Sequence, residues 1–182
     1  MFTEKQITSK IVYNGIVVNV RRDTAELHNG NAANREVVIH PGGVVILPVD
    51  DMGNAYVVRQ FRYPPMKPLL EACAGKLEKG EDPKAAAVRE LYEETGITAA
   101  EIIGLGISYP SPGYCDEVNY HYLAKELTVG TPHPDEDEFL TVEKVPLSEL
   151  LQMAANGELN DGKTIVTLFR ADRLLNGGQI TV

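Results

Sequence analysis

Three glutamates, Glu90, Glu93 and Glu94, fall within one short segment, and their spacing suits the binding of a divalent cation. In an α-helix, Glu90 and Glu94 would lie about 40° apart on one face, where like charges repel each other. Arg89 stands four residues before Glu93 and can pair with it, which leaves Glu90 and Glu94 uncompensated. Two such carboxylates on one rigid element are candidate metal ligands.

The apolar stripe of this segment predicts where the carboxylates lie. It consists of Ala87, Val88 and Leu91, and Glu90 and Glu94 border it, so we expect both to be half-buried against a sheet. Unpaired carboxylates are costly in such a place unless a cation joins them. Hard oxygen ligands suit magnesium, which keeps several waters and is usually completed by substrate phosphates. For this segment alone, a solvated acidic helix face is the alternative interpretation.

Start and stop signals frame the segment as a helix. Asp82 is a suitable N-cap, Pro83 suits the first helical position, and Gly96 suits the position just past the end. The residues in between are mostly helix formers. We therefore predict that the three glutamates lie on a helix between these caps.

The elements around this helix predict an α/β fold. Residues 44–47 form a continuous apolar run, which is typical of a strand buried on both faces. Further strands and two closing helices alternate along the chain, which favours an α/β sandwich. Strands are expected at 55–59, 102–107, 118–123 and 139–142, and the closing helices begin near Ser148 and after Asp161.

The first 42 residues are predicted to form a small lobe of short strands. Asn14-Gly15 stands between two apolar triplets and predicts a two-residue hairpin turn, and residues 29–31 predict a second turn. The character of the chain changes at Gly43, where the buried strand begins. We therefore divide the chain into a β lobe at 1–42 and a main domain at 43–182.

Composition narrows the function classes. The formal net charge is −9 and there is no cluster of Lys and Arg, which argues against nucleic acid as a partner. The chain has no apolar run near the roughly 20 residues needed to cross a bilayer and no signal-peptide pattern at its start. With only two cysteines as well, the expected location is the cytoplasm. An acidic protein that handles a phosphate ester needs metal cations between itself and its substrate.

The glutamates belong to a longer pattern of spaced residues that runs from Gly75 to Ile97. The pattern consists of Gly75, Glu81, Arg89, Glu90, Leu91, Glu93, Glu94, Gly96 and Ile97. It resembles the Nudix box, with every fixed position filled, of Nudix hydrolases, which are pyrophosphohydrolases that hydrolyse a diphosphate linked to a nucleoside. This resemblance implies an α/β/α sandwich with a mixed sheet and an N-terminal antiparallel β lobe.

The resemblance also implies a metal site. Glu90 and Glu94 would be the main ligands, and the backbone carbonyl of Ala74 would be another. The ions would be Mg²⁺, with Mn²⁺ as an alternative, and two or three would bind per site. Gly75 would give the backbone freedom that turns the carbonyl of Ala74 towards a metal ion.

Catalytic roles follow from the same resemblance. Glu93 would assist as a ligand or by supporting a bound water, and Arg89 would orient the carboxylates. The family subgroup places its general base on a loop outside the box, where this chain has the acidic loop 135–138. Glu138 is the preferred base because it adjoins the next predicted strand, and Glu136 is the alternative. A solvated acidic turn is the other interpretation of this loop.

Segments outside the box resemble the ADP-ribose pyrophosphatase subfamily. They are residues 59–64, Glu71 and residues 111–113, with Pro112 about fifteen residues past the box. The resemblance implies hydrolysis of ADP-ribose, or of a related nucleoside diphosphate sugar, to AMP and ribose 5-phosphate. Cys73 stands where the subfamily usually has proline, so the backbone that leads to the metal-binding carbonyl is less restricted. We interpret Cys73 as a small buried residue.

Five residues are assigned to the substrate on the resemblance. Arg62 would reach the diphosphate or adenine region, and Glu71 stands near the box. Arg35 would contact the nucleotide from the N-terminal lobe, and Ser111 and Gly113 would line the terminal ribose. Alternatively, the two arginines are ordinary surface residues and the Ser-Pro-Gly segment is only a turn.

The resemblance implies a homodimer, because the subfamily exchanges its N-terminal lobe between protomers. Two other functions remain open. One is a Nudix enzyme for a dinucleoside polyphosphate, NADH or a sugar nucleotide. The other is a non-catalytic ADP-ribose sensor, which the intact box glutamates and the acidic net charge disfavour.

Overall fold

The chain folds into two compact units. The computed structural model describes residues 2–133 and 139–180. The first unit comprises the residues up to Gly42 together with Tyr109–Val118, and the second comprises the remainder. Local sequence patterns give no sign that a segment from the middle of the chain joins the N-terminal strands, because the contacts involved are long-range.

The first unit is built on a three-stranded antiparallel sheet. Its strands, in spatial order, are β1 (Lys5–Asn14), β2 (Asn19–Glu26) and β3 (Ala32–Ile39). The second predicted turn is present, since the Gly30 N–H donates to the Leu27 carbonyl at 2.9 Å. The mid-chain segment runs beside β3, where the Val38 N–H donates to the Tyr114 carbonyl at 2.7 Å. The predicted antiparallel β lobe is thus confirmed, with one added segment.

The hairpin between β1 and β2 is present, but the predicted two-residue turn at Asn14-Gly15 is wrong. The Gly15 N–H donates to the Val18 carbonyl at 3.0 Å, so residues 15–18 form the turn. A two-residue type I′ turn needs positive φ at both central residues, and neither Asn14 nor Gly15 has one. Ile16, expected on a strand, is therefore in the turn and fully exposed.

The second unit contains all the strands and helices that the sequence predicts beyond residue 42, and two more strands. The additional strands, β6 and β7, contain Pro68 and Gly75 and lack the alternation that identifies a strand from sequence. No helix of the described ranges, 2–133 and 139–180, is long and apolar enough to span a membrane. The elements are β4 (Gly43–Pro48), β5 (Asn54–Arg62), β6 (Lys67–Glu71), β7 (Cys73–Lys76), α1 (Pro83–Thr95), β8 (Thr98–Ser108), β9 (Asn119–Thr128), β10 (Leu140–Pro146), α2 (Leu147–Ala155) and α3 (Gly162–Leu175).

Strand β4 lies between two layers of helices. It belongs to a four-stranded sheet of order β7-β4-β9-β8 and pairs parallel with β9 and antiparallel with β7, so this sheet is mixed. Val45 and Leu47 pack with residues of α2 and α3, whereas Val44 and Ile46 pack with residues of α1. The other sheet has the order β10-β5-β6. The predicted α/β/α sandwich and the doubly buried strand are both confirmed.

The predicted ends of α1 are confirmed. The Asp82 side chain accepts a hydrogen bond from the Ala85 N–H at 3.0 Å, and Pro83 is the first helical residue. Gly96 has φ of 70°, and its N–H donates to the Tyr92 carbonyl at 2.8 Å. A left-handed residue of this kind ends the helix and satisfies one of its last carbonyls.

The buried face of α1 differs from the predicted stripe. Val88 is 44% exposed, whereas Ala86 and Leu91 are buried. The face turned towards the sheet is therefore rotated relative to the prediction, and it includes Glu90 and Glu94, which are 9% and 2% exposed. Both carboxylates are buried and not half-buried as expected.

Candidate active site

Arg89 on α1 binds three acidic side chains. Its guanidinium donates to both carboxylate oxygens of Glu81 (3.0 and 3.1 Å), to Glu90 (2.8 Å) and to Glu93 (3.0 Å). The hydrogen bond with Glu81 contributes most to raising the pKa of Arg89, so the guanidinium stays charged. The predicted pairing with Glu93 is confirmed. The expectation that Glu90 is uncompensated is wrong, because Arg89 reaches Glu90 as well.

The carboxylate of Glu90 lies against the backbone of Gly75. A Cβ atom at residue 75 would collide with the Glu90 carboxylate. Gly75 does not have positive φ. The missing side chain of Gly75 therefore makes room for the Glu90 carboxylate, and a left-handed backbone conformation is not involved.

The carboxylate of Glu94 is held by Ala74, which precedes Gly75 on β7. Its Oε2 accepts a hydrogen bond from the Ala74 N–H at 3.1 Å. Ala74 pairs with Val45 of the central strand β4, so its backbone is fixed by the sheet. Ala74, Glu90 and Glu94, the three predicted metal-binding residues, are thus brought together where α1 packs on β7.

A second ion-pair network surrounds Glu71 at the end of β6. Its fully buried carboxylate accepts two hydrogen bonds from Arg62 (2.7 and 2.8 Å) and one from the Lys163 ammonium. Burial alone would raise the pKa of Glu71, but Arg62 and Lys163 outweigh it and hold that pKa below its usual value. Glu71, and more weakly Asp161 and Glu94, raise the pKa of Arg62, so Arg62 lies within electrostatic reach of the box.

Lys163 is a residue of this network that the sequence did not indicate. It lies in the first turn of α3, and its Nζ also donates to Asp161 at 3.0 Å. The contact with Glu71 joins positions far apart in the chain, so no local pattern contains it. The available signal was Asp161, the predicted N-cap of α3, whose side chain does accept from the Thr164 N–H at 3.0 Å.

The remaining predicted substrate residues belong to the first unit. Arg35 donates to both carboxylate oxygens of Glu4 at 2.9 and 2.6 Å. Arg35 and Gly113 line one cleft of about 620 Å³. Ser111 forms a turn next to Gly113, because its carbonyl accepts from the Cys115 N–H at 2.9 Å. Their roles towards a substrate stay predictions.

The two candidate bases, Glu136 and Glu138, lie outside the described residues. The chain before them is described as far as His133, whose N–H donates to the Glu93 carbonyl at 2.8 Å. The His133 ring also lies 5.5 Å from the ring of Tyr92. The last described residue before the acidic loop, His133, therefore contacts the last turn of α1.

Cys73 is fully buried, as predicted for a small core residue. Burial, and then the charge of Glu94, raise the pKa of the Cys73 thiol well above its usual value. A protonated and buried thiol is a poor nucleophile. Cys73 therefore contributes packing and not reactivity.

Comparison with known proteins identifies the class to which this fold and site belong. The NUDIX domain model matches residues 39–168. An ADP-ribose pyrophosphatase of Bacillus subtilis (strain 168) is 43% identical over 163 residues, which cover 88% of each chain. A methanol dehydrogenase activator of Bacillus methanolicus is 38% identical over 170 residues and 92% of each chain. The chain belongs to the Nudix family, a family of pyrophosphohydrolases, as predicted.

Further matches extend over almost the whole chain. An ADP-ribose pyrophosphatase of Mycobacterium tuberculosis (strain ATCC 25618 / H37Rv) is 33% identical over 174 residues, covering 94% of this chain and 84% of that protein. A crystal structure of an ADP compounds hydrolase superposes with a TM-score of 0.85 over 96% of this chain and 95% of the other, at 23% identity. This structural match supports the fold.

The contact between Gly75 and Glu90 predicts the effect of a single methyl group. Gly75→Ala should displace the Glu90 carboxylate, and Mn²⁺ affinity should fall about 10–100-fold, the range found when the support of a metal ligand is disturbed. Titration calorimetry measures the affinity, and circular dichroism checks the fold. Gly162→Ala is the matched control, because a Cβ there meets no atom within 4 Å. Equal Mn²⁺ affinity in Gly75→Ala and the wild type would contradict the prediction.

Proposed function

We propose that this chain hydrolyses the diphosphate of ADP-ribose, or of a closely related nucleoside diphosphate sugar, to AMP and ribose 5-phosphate. The observation that carries the proposal is the packing of α1 on β7, which sets Glu90 against Gly75 and Glu94 against Ala74. Gly75, Glu90 and Glu94 belong to the box that, in the Nudix family, acts on a diphosphate, and Ala74 directly precedes it. The 43% identity with an ADP-ribose pyrophosphatase over 88% of the chain favours ADP-ribose as the substrate.

Divalent ions complete the proposed site, as Mg²⁺ or Mn²⁺ and two or three in number. Glu90, Glu94 and the backbone carbonyl of Ala74 would hold them. These donors are all hard oxygens, and Gly75 leaves the space beside Glu90 that a Cβ would fill. Among the described residues, no three Asp, Glu, His or Cys side chains form a ready-made metal cage, so waters and substrate oxygens supply the other ligands. When bound, the ions neutralise the diphosphate and lower the pKa of the attacking water.

The residues around the box keep its carboxylates in place. Arg89 orients Glu90 and Glu93 through hydrogen bonds of 2.8 and 3.0 Å. Glu93 assists as a further ligand or by holding a water. Because Glu81 binds two other nitrogens of Arg89, the guanidinium cannot turn away from Glu90 and Glu93 without losing that pair.

The substrate residues fall into two proposed groups. Arg62, held by Glu71, binds the diphosphate or the adenine region, which is supported by the electrostatic effect of Glu94 on Arg62. Arg35 contacts the nucleotide, while Ser111 and Gly113 line the terminal ribose. The shared cleft of Arg35 and Gly113 in the first unit supports this second group.

The proposed function predicts AMP release from ADP-ribose only when Mg²⁺ or Mn²⁺ is present, and EDTA should abolish it. Chromatography after incubation with ADP-ribose, NADH, a dinucleoside polyphosphate and a sugar nucleotide tests this directly. If NADH, the dinucleoside polyphosphate or the sugar nucleotide is hydrolysed in preference to ADP-ribose, that compound is the substrate instead. Binding of ADP-ribose without any hydrolysis in the presence of metal would favour the sensor function.

In the same assay, Glu94→Gln should lower turnover by at least about 100-fold, because it removes a proposed metal ligand while keeping the shape of the side chain. Glu101→Gln is the control, since Glu101 lies on β8, is partly exposed and pairs with Lys125. Circular dichroism should show both variants folded. Near wild-type turnover in Glu94→Gln would remove the proposed metal site.

We propose Glu138 as the general base that takes a proton from the attacking water, with Glu136 as the alternative. The box carboxylates are poor candidates, because metal bonding occupies their lone pairs. Two described contacts support a base from this loop. His133, just before it, binds the carbonyl of Glu93, and Leu140, just after it, pairs with Gln60 of β5.

The pair Glu138→Gln and Glu136→Gln tests this base at saturating ADP-ribose and Mg²⁺. The variant that lacks the base should lose turnover by about 10²–10⁴-fold with little change in KM, because proton transfer and not binding is affected. The other variant serves as its matched control. If both retain most of their activity, the base lies elsewhere in the chain.

We propose a cytoplasmic homodimer in which the lobe of residues 1–42 is exchanged between protomers. Strand β1 is an edge of its sheet and exposes apolar side chains, a surface that suits a second copy of the chain. A lobe of about 40 residues is also too small to hold a stable core of its own. The exposed side chains of β1 include Ile7, Ile11, Val12 and Tyr13.

Light scattering should therefore give twice the chain mass of 19.9 kDa at micromolar concentration. Ile11→Lys should shift the population towards the monomer, because it places a charge on the apolar surface. Asn14→Lys adds the same charge to an exposed polar position of β1 and should remain dimeric. A wild-type chain that is monomeric and fully active would contradict the dimer proposal.

A further inference from the structure

Glu71 is a buried carboxylate shared by two cations that differ in exposure. The side chain of Glu71 is 1% exposed, that of Lys163 is 19% exposed, and that of Arg62 is 39% exposed. A buried carboxylate is strongly destabilising when it loses its only partner. Because two cations share this one, either of them can leave without exposing an unpaired buried charge.

Lys163 is the more buried of the two cations and has a second acidic partner. Its ammonium also binds Asp161 at 3.0 Å, and Asp161 caps α3 through the Thr164 N–H. The Thr164 hydroxyl in turn accepts a hydrogen bond from the Ala72 N–H at 2.8 Å. The first turn of α3 is thus attached to the backbone directly after Glu71, which fixes the position of Lys163.

Arg62 is the cation that can move. It is the last residue of β5, and its guanidinium is the more exposed of the two cations. It is held by the two hydrogen bonds to Glu71, and the charges of Asp161 and Glu94 contribute more weakly to raising its pKa. A guanidinium matches two phosphate oxygens as well as it matches a carboxylate. The substrate diphosphate can therefore replace Glu71 as its partner.

We propose that Lys163 is a positioning residue that keeps Glu71 paired while Arg62 turns from Glu71 to the diphosphate. The inference rests on the proposed function, in which Arg62 binds the substrate. Without Lys163, Arg62 is the remaining cation on Glu71 in this network. Its transfer to the substrate then leaves a buried negative charge unpaired, and substrate binding becomes weaker.

The first test compares binding with turnover. Calorimetry with ADP-ribose in EDTA measures binding without hydrolysis, and steady-state assays with Mg²⁺ give kcat and KM. Lys163→Met should weaken binding and raise KM by about tenfold, the effect of one weakened charge contact, with kcat little changed. Lys163→Arg keeps the charge and should stay close to the wild type. Lys144→Met removes a lysine of β10 that pairs with Asp50, and this variant should also bind ADP-ribose normally.

The decisive comparison uses Glu71→Gln, which removes the buried charge itself. In that background Lys163 has no carboxylate to neutralise, so E71Q and E71Q/K163M should bind ADP-ribose with the same affinity. Weaker binding by the double variant would mean that Lys163 contacts the substrate directly, and the inference would be wrong. This comparison holds even if Lys163→Met alone does not fold.

Two further outcomes separate the inference from the proposed function. Wild-type affinity and KM in a folded Lys163→Met variant would overturn the role of Lys163 while leaving ADP-ribose hydrolysis in place. Failure of the wild-type chain to release AMP from ADP-ribose would instead overturn the proposed function.

Discussion

Three carboxylates of the second unit, Glu71, Glu90 and Glu94, are almost completely removed from water. Such burial is stable only when hydrogen bonds or cations compensate for the lost solvation. Arg89 compensates Glu90, the Ala74 N–H contributes for Glu94, and two cations serve Glu71. The acidic groups are thus held at fixed positions before any ligand binds, which is what a metal-dependent hydrolytic site requires.

Small side chains on β7 allow α1 to bring its carboxylates so close. Cys73, Ala74 and Gly75 leave room for the helix, and Cys73 packs in the same apolar cluster as Ala86 and Ala87. The departure from the proline usual in the subfamily therefore keeps a small apolar residue in the core. The backbone at this place is fixed by pairing with β4, so the sheet replaces part of the restriction that a proline ring would give.

Structural features whose contacting residues are close in the sequence could be predicted, whereas contacts between residues far apart in the sequence could not. The caps of α1 at Asp82 and Gly96 and the buried strand at 44–47 follow from local chemistry, and the structure confirms them. The turn predicted from the dipeptide Asn14-Gly15 was wrong, because the backbone angles decide the turn type and residue preference alone does not fix them. For Lys163 the sequence offered only the neighbouring N-cap Asp161, because the contact of Lys163 with Glu71 exists only after α3 has packed on the sheet.

Helix α3 is joined to the sheet by hydrogen bonds between uncharged side chains, and these are distinct from the ion pairs of Lys163. Buried His121 joins Ser108 on β8 and Thr167 on α3, with distances of 2.7 and 2.8 Å from its two ring nitrogens. Burial, assisted by the charge of Arg170, lowers the pKa of His121 to about 4, so the ring is neutral near pH 7. The Thr167 hydroxyl donates its proton to the Lys163 carbonyl, so the Nδ1–H of His121 must be the donor to Thr167. An uncharged network therefore anchors the backbone of Lys163, while its ammonium remains available to Glu71.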